Sequence, residues 1–422
     1  MKRIPPSAEL TKIAEALRAD TQTTDLTGEL IRIGAKKIIQ ELLEKEAEEF
    51  LGRGYYERRD ETMHGYRNGY KERRIDSAEG RLMVDVPQVR GADEPYSSVL
   101  WAHLKKRTEV LENLVVEMYV RGLSTRDIED TLTDLTDGEG SLLSRSSVSR
   151  ITETLWEEYE AFCERDLAGF DVVYLFADAV YESLRKQAGA KEGVLVTWGI
   201  CADGAKVLIH MTTGNKESYD AWLEHFRSLV KRGLKVPLTA TSDGAPGLIK
   251  AIEVMWPQAE RIRCWVHKMK NLLEKLPDDA KGLVKPYLEA IRDAADYGMG
   301  KIVANQVIEL FKRDYPSFVK CLVEDLEASL AHLKLPGAHR KNIRTTNLCE
   351  RSFVEERRRS KVIPRFRGEK ECLKLVFATL WRASERWNRV RFTEHERKAL
   401  DRYIEQRENE RKKEVKVPAT VA

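Results

Sequence analysis

The chain has 422 residues, 42% hydrophobic and 33% charged, with a net charge of +3. That suffices for two or three cored domains, and it excludes a uniformly basic surface as the source of any nucleic-acid binding. No apolar run approaches the roughly 20 residues needed to cross a bilayer. The Met1–Ser7 start lacks the apolar centre of a signal peptide. Six cysteines scattered without paired spacing fit reduced thiols, so a cytoplasmic protein is expected.

Positive charge is concentrated locally. Residues 52–75 hold seven Lys/Arg against four Asp/Glu, and residues 351–370 hold eight against three. Such stretches suit localised phosphate contacts.

Residues up to about Gln22 read as a frayed or loosely helical lead. Residues 26–51 place Leu30, Ile31, Ile33, Ile38, Ile39, Leu42, Leu43 and Phe50 at helical spacing, which predicts one amphipathic helix for packing or dimerisation. Residues 52–91 interleave Tyr, Arg and Gly. Asn68-Gly69 predicts a turn, and residues 81–86 predict a strand ended by Pro87. This segment suits phosphate contact through Arg67, Lys71, Arg73 and Arg74, or else a solvated β-rich subdomain.

A helix is expected over 111–121, stopped by Gly122. Ser124-Thr-Arg126-Asp127 has the form of a helix cap followed by Ile128 and Leu132 on one face. Beyond a glycine-containing loop at 138–140, Ser144 opens another helix. The three resemble a helix-turn-helix whose last helix presents Ser144, Arg145, Ser147 and Arg150 to a groove.

From Phe170 the periodicity changes. Strands are predicted over 172–177, 194–201, 206–211, 236–241 and 261–266, with Asp203-Gly204 as a hairpin turn and helices over 219–229 and 246–255. Three strands in a meander, then strands separated by helices, give the order of an α/β core with an RNase H-like mixed sheet. Residues 267–341 show helical periodicity alone and read as an all-helical insertion. The charge run 405–416 reads as a solvated helix end or a disordered tail.

Three acids stand out against this frame. Asp178 ends the run Asp171-Val-Val-Tyr-Leu-Phe-Ala-Asp178. Asp243 follows Val236-Pro-Leu-Thr-Ala-Thr-Ser and precedes Gly244. Glu350 heads a basic helical stretch containing Arg357, Arg358, Arg359, Lys361 and Arg365. Two strand-end aspartates and a helix glutamate supply hard oxygen ligands for two divalent ions, Mg²⁺ or Mn²⁺ in its place. Such an ion pair clamps the attacking and leaving oxygens of a phosphodiester. The basic run beside them suits DNA phosphates. Glu355 and Glu356 are alternatives to Glu350. Cys264 and His267 form half of a zinc ligand set. With no second pair at suitable spacing, Cys264, Trp265 and His267 are read as packing at a strand-to-helix junction.

The chain resembles the bacterial insertion-sequence transposases of the Mutator type. The resemblance rests on Gly65-Tyr-Arg-Asn-Gly-Tyr, Val84-Asp-Val-Pro-Gln-Val-Arg-Gly, Gly122-Leu-Ser-Thr-Arg-Asp-Ile, Asp178-Ala-Val-Tyr, Ser242-Asp-Gly, Arg263-Cys-Trp-Val-His-Lys and Arg344-Thr-Thr-Asn-Leu-Cys-Glu350, in family order across roughly residues 40–390. It implies a DDE transposase with Asp178, Asp243 and Glu350 as catalytic and metal-binding residues. The expected partners are double-stranded DNA, as the element's terminal inverted repeats and its target, and a second copy of the chain in a homodimer. Cys264 and His267 match the family's Cys-x-x-His motif. Phe353 departs from the asparagine that many members carry. Two other readings remain: a DNA-binding regulator that no longer cleaves, and another RNase H-like nuclease.

The expected organisation is therefore 1–105, a mainly helical dimerisation and basic-aromatic region; 106–168, helix-turn-helix-like; 169–275, the first part of the core; 276–340, the insertion; 341–400, the C-terminal core helices; and 401–422, a charged tail.

Overall fold

A computed structural model describes residues 4–19, 25–58, 65–134, 142–183, 191–214, 218–361, 363, 366, 368–385 and 387–416. The chain divides into two compact units, residues 1–153 and 154–422.

The first unit opens with α1 (Pro6–Ala19) and α2 (Leu26–Leu51). The lead is thus a formed helix rather than a frayed one: Leu10 is buried, and the Ser7 N–H donates to Glu44 Oε1 on α2 at 3.1 Å. Only part of the α2 stripe is buried. Leu43, Ala47 and Leu51 pack inward, whereas Leu30, Ile31, Ile38 and Leu42 stay exposed. An antiparallel hairpin follows, β1 (Tyr66–Ser77) with β2 (Gly80–Arg90). Here two expectations fail. Asn68-Gly69 lies within β1 as a bulge between Arg67 and Tyr70, with Gly69 at φ +80, and the reversal comes at residues 78–79. Pro87 stands opposite Tyr70 beside the bulge, where the ladder is already interrupted, so its missing N–H does not end the strand.

Then come α3 (Val99–His103), α4 (Glu109–Val120), α5 (Thr125–Asp134) and α6 (Arg145–Ile151). Helices α4, α5 and α6 close over Leu111, Val115, Ile128, Leu132, Leu142, Leu143, Val148 and Ile151. Gly122, at φ +100, turns the chain after α4. The Ser124 hydroxyl accepts from Asp127 N–H at 3.2 Å while Asp127 Oδ2 accepts from Ser124 N–H at 2.9 Å, a reciprocal cap for α5. The glycine-containing loop at 138–140 lies outside the described residues.

The second unit begins with α7 (Thr154–Glu164) and carries a five-stranded mixed sheet in the order β5-β4-β3-β6-β7. Its strands are β3 (Val172–Ser183), β4 (Lys191–Cys201), β5 (Lys206–Gly214), β6 (Thr239–Ser242) and β7 (Glu260–Arg263). β3, β4 and β5 form the antiparallel meander, and β6 and β7 continue parallel to β3. β3 is six residues longer than its predicted run, because Asp178 and the residues after it still pair with β4 as far as Ser183 and Lys191. β6 starts only at Thr239, after Pro237. β7 stops at Arg263, so Trp265 and Val266 are helical rather than extended.

Helices α8 (Tyr219–Lys231) and α9 (Pro246–Met255) connect β5 to β6 and β6 to β7. Their Trp222, Phe226, Leu229, Leu248 and Ile252 form one core with Leu175, Ala177 and Leu195 of the sheet. Beyond β7 the chain is helical: α10 (Trp265–Leu273), α11 (Asp278–Arg292), α12 (Tyr297–Phe311), α13 (Pro316–Val323), α14 (Leu326–Leu330) with a 3-10 turn over Ala331–Lys334, and α15 (Gly337–Ile343). These elements share a core of their own that includes Leu272, Val284, Leu288, Val307, Phe318 and Leu330. The chain closes with α16 (Asn347–Ser360), α17 (Glu369–Glu385) and α18 (Glu394–Lys416), which runs unbroken across residue 401. Among the described residues no helix is long and apolar enough to cross a membrane. Cys163, Cys201, Cys264, Cys321 and Cys349 are free thiols.

Candidate active site

The site is set by strand register. Ala177 on β3 stands beside Ser242 on β6, and Ser242 beside Arg263 on β7. The next residues are Asp178, Asp243 and Cys264. Three neighbouring strands thus deliver three polar side chains at one level. The Cys264 N–H donates to the Ser242 carbonyl at 2.8 Å, which carries the ladder one rung past the strand ends. Side chains alternate along a strand. With Leu175 and Ala177 committed to the α8–α9 core, Asp178 emerges on the opposite face, against which α16 packs. It does so from within β3, opposite Val196, and not from the strand end that the apolar run suggested.

Asp178 is 8% exposed and its Oδ1 accepts from the Ala179 N–H at 2.9 Å. Asp243 Oδ1 accepts from the Ala245 N–H at 3.0 Å, an Asx turn that leads into α9. Gly244 lets the turn pass close to Arg263: a Cβ there would overlap the guanidinium.

Glu350 comes from the first turn of α16, and the entry to that helix is tied to the sheet. Thr241 Oγ1 donates to the Ile343 carbonyl at 2.8 Å, and Trp265 N–H to the Arg344 carbonyl at 2.9 Å. The Thr346 N–H and hydroxyl both point at Cys264 Sγ, at 3.3 and 3.4 Å. Thr346 therefore does not cap α16 with its side chain. Glu350 is no capping-box partner either; its Oε1 lies 4.0 Å from His267 Nδ1. Trp265 is buried, with Nε1 donating to the Ser329 carbonyl at 2.7 Å, and it fixes the start of α10.

Burial pushes the Asp178 carboxyl up to about 7; Asp243 beside it adds to the shift and His267 opposes it. The Cys264 sulfur raises His267 to about 9, against burial and with help from Asp178 and Asp243. Burial opposes ionisation of Cys264, but His267 and Thr346 overcome it and hold the thiol below its usual range. Among the described residues no Lys or Arg forms an ion pair with Asp178, Asp243 or Glu350; His267 alone stands beside Glu350. Three carboxylates with a single imidazole to offset them fit a divalent cation, which would supply further positive charge. Within 4.8 Å of one another lie ligand atoms of Cys264, His267 and Glu350.

Two alternatives to Glu350 are placed elsewhere. Glu356 is buried and pushed up to about 8 by burial and by Glu182. Glu355 pairs with Arg358 and Arg359. Phe353 is buried in the packing of α16. Thr346 was missed as a site residue; the Thr345-Thr346-Asn347 run before Glu350 was its signal. Arg263, buried under Gly244, carried no signal beyond its place before Cys264.

The expected DNA contacts divide by their surroundings. In the first unit Lys71, Arg73, Arg126 and Arg150 are exposed. Arg67 is half-buried, donates to the Arg53 carbonyl at 2.9 Å and lies over Tyr55. Arg74 pairs with Asp76 and Arg145 with Glu129. Ser144 caps α6, and Ser147 is turned inward, where Arg107 Nη2 donates to its hydroxyl at 3.3 Å, so Ser147 is not presented to a groove. In the second unit Arg357, Arg358 and Lys361 are exposed and Arg359 is half-buried. Arg365 lies outside the described residues.

Residues 7–390 match the family described as "Transposase, Mutator family". The chain is 33% identical over 354 residues to the transposase for insertion sequence element ISRM5 of Rhizobium meliloti, covering 83% of this chain and 87% of that one. It is 33% identical over 366 residues to that of IS406 of Burkholderia multivorans, covering 86% and 92%. It is 30% identical over 375 residues to that of IS1081 of Mycobacterium tuberculosis, covering 88% and 89%.

These relatives are insertion-sequence transposases, enzymes that cut and transfer DNA strands. The chain belongs to the Mutator family of transposases. Membership implies a divalent metal, which the excess of carboxylates over cations at the site fits.

Proposed function

We propose that the chain is a DDE transposase with an RNase H-like core, acting on the terminal inverted repeats of its own insertion sequence through Asp178, Asp243 and Glu350. What supports this reading is that Asp178 and Asp243 each follow the paired Ala177 and Ser242 of adjacent parallel strands, that α16, which carries Glu350, packs on β3, and that among the described residues no Lys or Arg forms an ion pair with any of the three. Mg²⁺, or Mn²⁺ in its place, would supply water activation and stabilisation of the leaving oxygen.

The chain's own residues do the rest. Asp178 and Asp243 would hold the ions from the sheet, and Glu350 would complete the set from α16. Thr346 and Cys264 lock the helix entry so that Glu350 keeps its distance from the strands. Water would first cleave the phosphodiester at the repeat end and free a 3′-hydroxyl, which would then attack a second phosphodiester at the same carboxylates and displace the 3′-oxygen of that strand. Lys71, Arg73, Arg126 and Arg150 hold DNA phosphates in the first unit, and Arg357, Arg358, Arg359, Lys361 and Arg365 in the second. The α4–α6 segment reads the repeat as a helix-turn-helix-like module. Two ends must meet, so the working form is a homodimer, in the cytoplasm on the nucleoid.

The test is cleavage of a duplex carrying the element's terminal repeat by wild type and by Asp178→Asn. Nicking at the repeat boundary that needs Mg²⁺ or Mn²⁺ and is lost in the variant is the expected result. Binding without nicking by wild type, across both metals and all end configurations, would replace this reading with that of a DNA-binding regulator.

A further inference from the structure

We propose that Cys264, His267 and Glu350 form a second cation site, selective for a thiophilic divalent ion such as Zn²⁺ and distinct from the all-oxygen set of Asp178, Asp243 and Glu350. The donor chemistry separates the two. Mg²⁺ takes hard oxygen ligands, whereas a set of sulfur, imidazole nitrogen and one carboxylate oxygen suits Zn²⁺ or Co²⁺. Three protein ligands with a fourth position open is a common arrangement for bound zinc.

The geometry is nearly assembled. The three ligand atoms lie within 4.8 Å of one another. Tetrahedral zinc with bonds of about 2.0–2.3 Å places its ligands roughly 3.5 Å apart, so closure asks for movements of about 1 Å. The movable partners can supply it, since the His267 and Glu350 side chains are 35% and 33% exposed. The fixed partner is Cys264. It is buried at the end of β7, and its sulfur is approached by the Thr346 N–H and hydroxyl. Donors aimed at sulfur favour the thiolate and orient it, the role that outer-shell hydrogen bonds play around metal-bound cysteine. His267 Nδ1 adds an independent sign. It is buried, lies 4.0 Å from Glu350 Oε1 and makes no hydrogen bond of normal geometry, while the Cys264 sulfur stands close enough to act on the same ring.

Sequence spacing explains the placement. Cys264 is the residue before α10, and His267 is three residues on, in the helix's first turn. A Cys-x-x-His step across a strand-to-helix junction brings both donors to one side, and α16 brings the carboxylate. The pair therefore does more than pack. Because Glu350 belongs to both sets, the two ions compete for it.

The experiment uses the full-length purified protein and Co²⁺ as a spectroscopic probe, without DNA. Wild type is expected to show a near-ultraviolet sulfur-to-cobalt charge-transfer band that saturates at one equivalent and is bleached by Zn²⁺ but not by excess Mg²⁺. Cys264→Ser should remove the band, while Cys321→Ser, which changes a half-buried cysteine outside the site, should retain it. His267→Gln and Glu350→Gln should each weaken Co²⁺ binding at least about 10-fold. Should Cys264→Ser fail to fold, these last two variants decide the matter. No band in wild type at saturating Co²⁺, a band that persists in folded Cys264→Ser, or unchanged affinity in both His267→Gln and Glu350→Gln would overturn the proposal. None of these readouts depends on cleavage, so the site can fail while the transposase reading stands, and the reverse.

Discussion

Asp178 and Asp243 sit on adjacent parallel strands, each one residue beyond the paired Ala177 and Ser242. The relationship creates a local excess of negative charge, and it sets the pH behaviour of the site. Asp178 is held at about 7, so it is protonated below that pH and ionised above it. A divalent ion must displace that proton. Mg²⁺ affinity should therefore fall as pH drops through 7, by up to about 10-fold per pH unit for one displaced proton. Mg²⁺ titrations of the melting temperature at pH 8 and pH 6 measure this. Equal affinity at the two pH values would place the ion away from Asp178.

Neutral isosteres should separate catalysis from binding. Asp178→Asn, Asp243→Asn and Glu350→Gln are each expected to lower repeat cleavage by about 1000-fold or more while leaving repeat binding within a few-fold. Cleavage assays and gel shifts on the same oligonucleotide give both numbers. Wild-type cleavage in any of the three would remove that residue from the mechanism.

Charge on β1 should act on binding alone. Lys71→Ala with Arg73→Ala removes two exposed cations. Repeat affinity should fall similarly for all sequences, and the slope of log affinity against log salt should lose about 2. An unchanged slope would mean that this strand does not meet DNA.

Stability should fall in mild acid for a reason remote from the site. His225 is buried between Thr197 Oγ1 at 2.9 Å and Thr212 Oγ1 at 2.7 Å, and burial pulls it down to about 3. In the unfolded chain it titrates near 6.5. Above that pH both states are neutral and nothing changes. Below it only the unfolded state takes up the proton, so stability is lost between about 6.5 and 3, by about 2 kcal/mol at pH 5. Thermal melts of wild type and His225→Gln at pH 7.5 and 5 test the sign: the variant should lose less on acidification.

The reciprocal cap of α5 should be measurable locally. Ser124→Ala removes the acceptor of the Asp127 N–H and should cost about 1 kcal/mol. Hydrogen exchange over residues 125–134 should speed up roughly 5-fold, given a factor of 10 per 1.4 kcal/mol. Unchanged exchange would mean that α5 is held by Ile128 and Leu132 alone.

The sequence was most legible where one signal acted alone. Pro246 at a helix start and the Ser124–Asp127 box each specify a boundary by local chemistry, and α9 and α5 begin where those signals say. The apolar runs likewise announced the sheet's strands. The misreadings arose where tertiary pairing overrode a local cue. Asn68-Gly69 carries turn chemistry but is absorbed as a bulge because residues on both sides pair with β2. Asp178 interrupts the apolar run of β3 and Glu182 and Ser183 close it, so the hydrophobic signal breaks off early while the backbone continues to bond to β4. At the site, the three acids and the Cys-x-x-His step could be picked out by composition. The linkage of Thr346 to Cys264 could not, because it joins residues 82 apart in the chain through a contact that exists only once the sheet has formed.

Trp265 donates to the Arg344 carbonyl, so the helical excursion leaves and rejoins the sheet at almost the same point. Much of what lies between shares an apolar interior of its own, while α14 and the turn after it also pack on β7 and Asp325 pairs with Arg261. To the strands, that long stretch is geometrically a tight turn. Change in α11 and α12, which pack mainly among the other helices, should therefore alter the outer surface while the part anchored on β7 keeps the carboxylates in position.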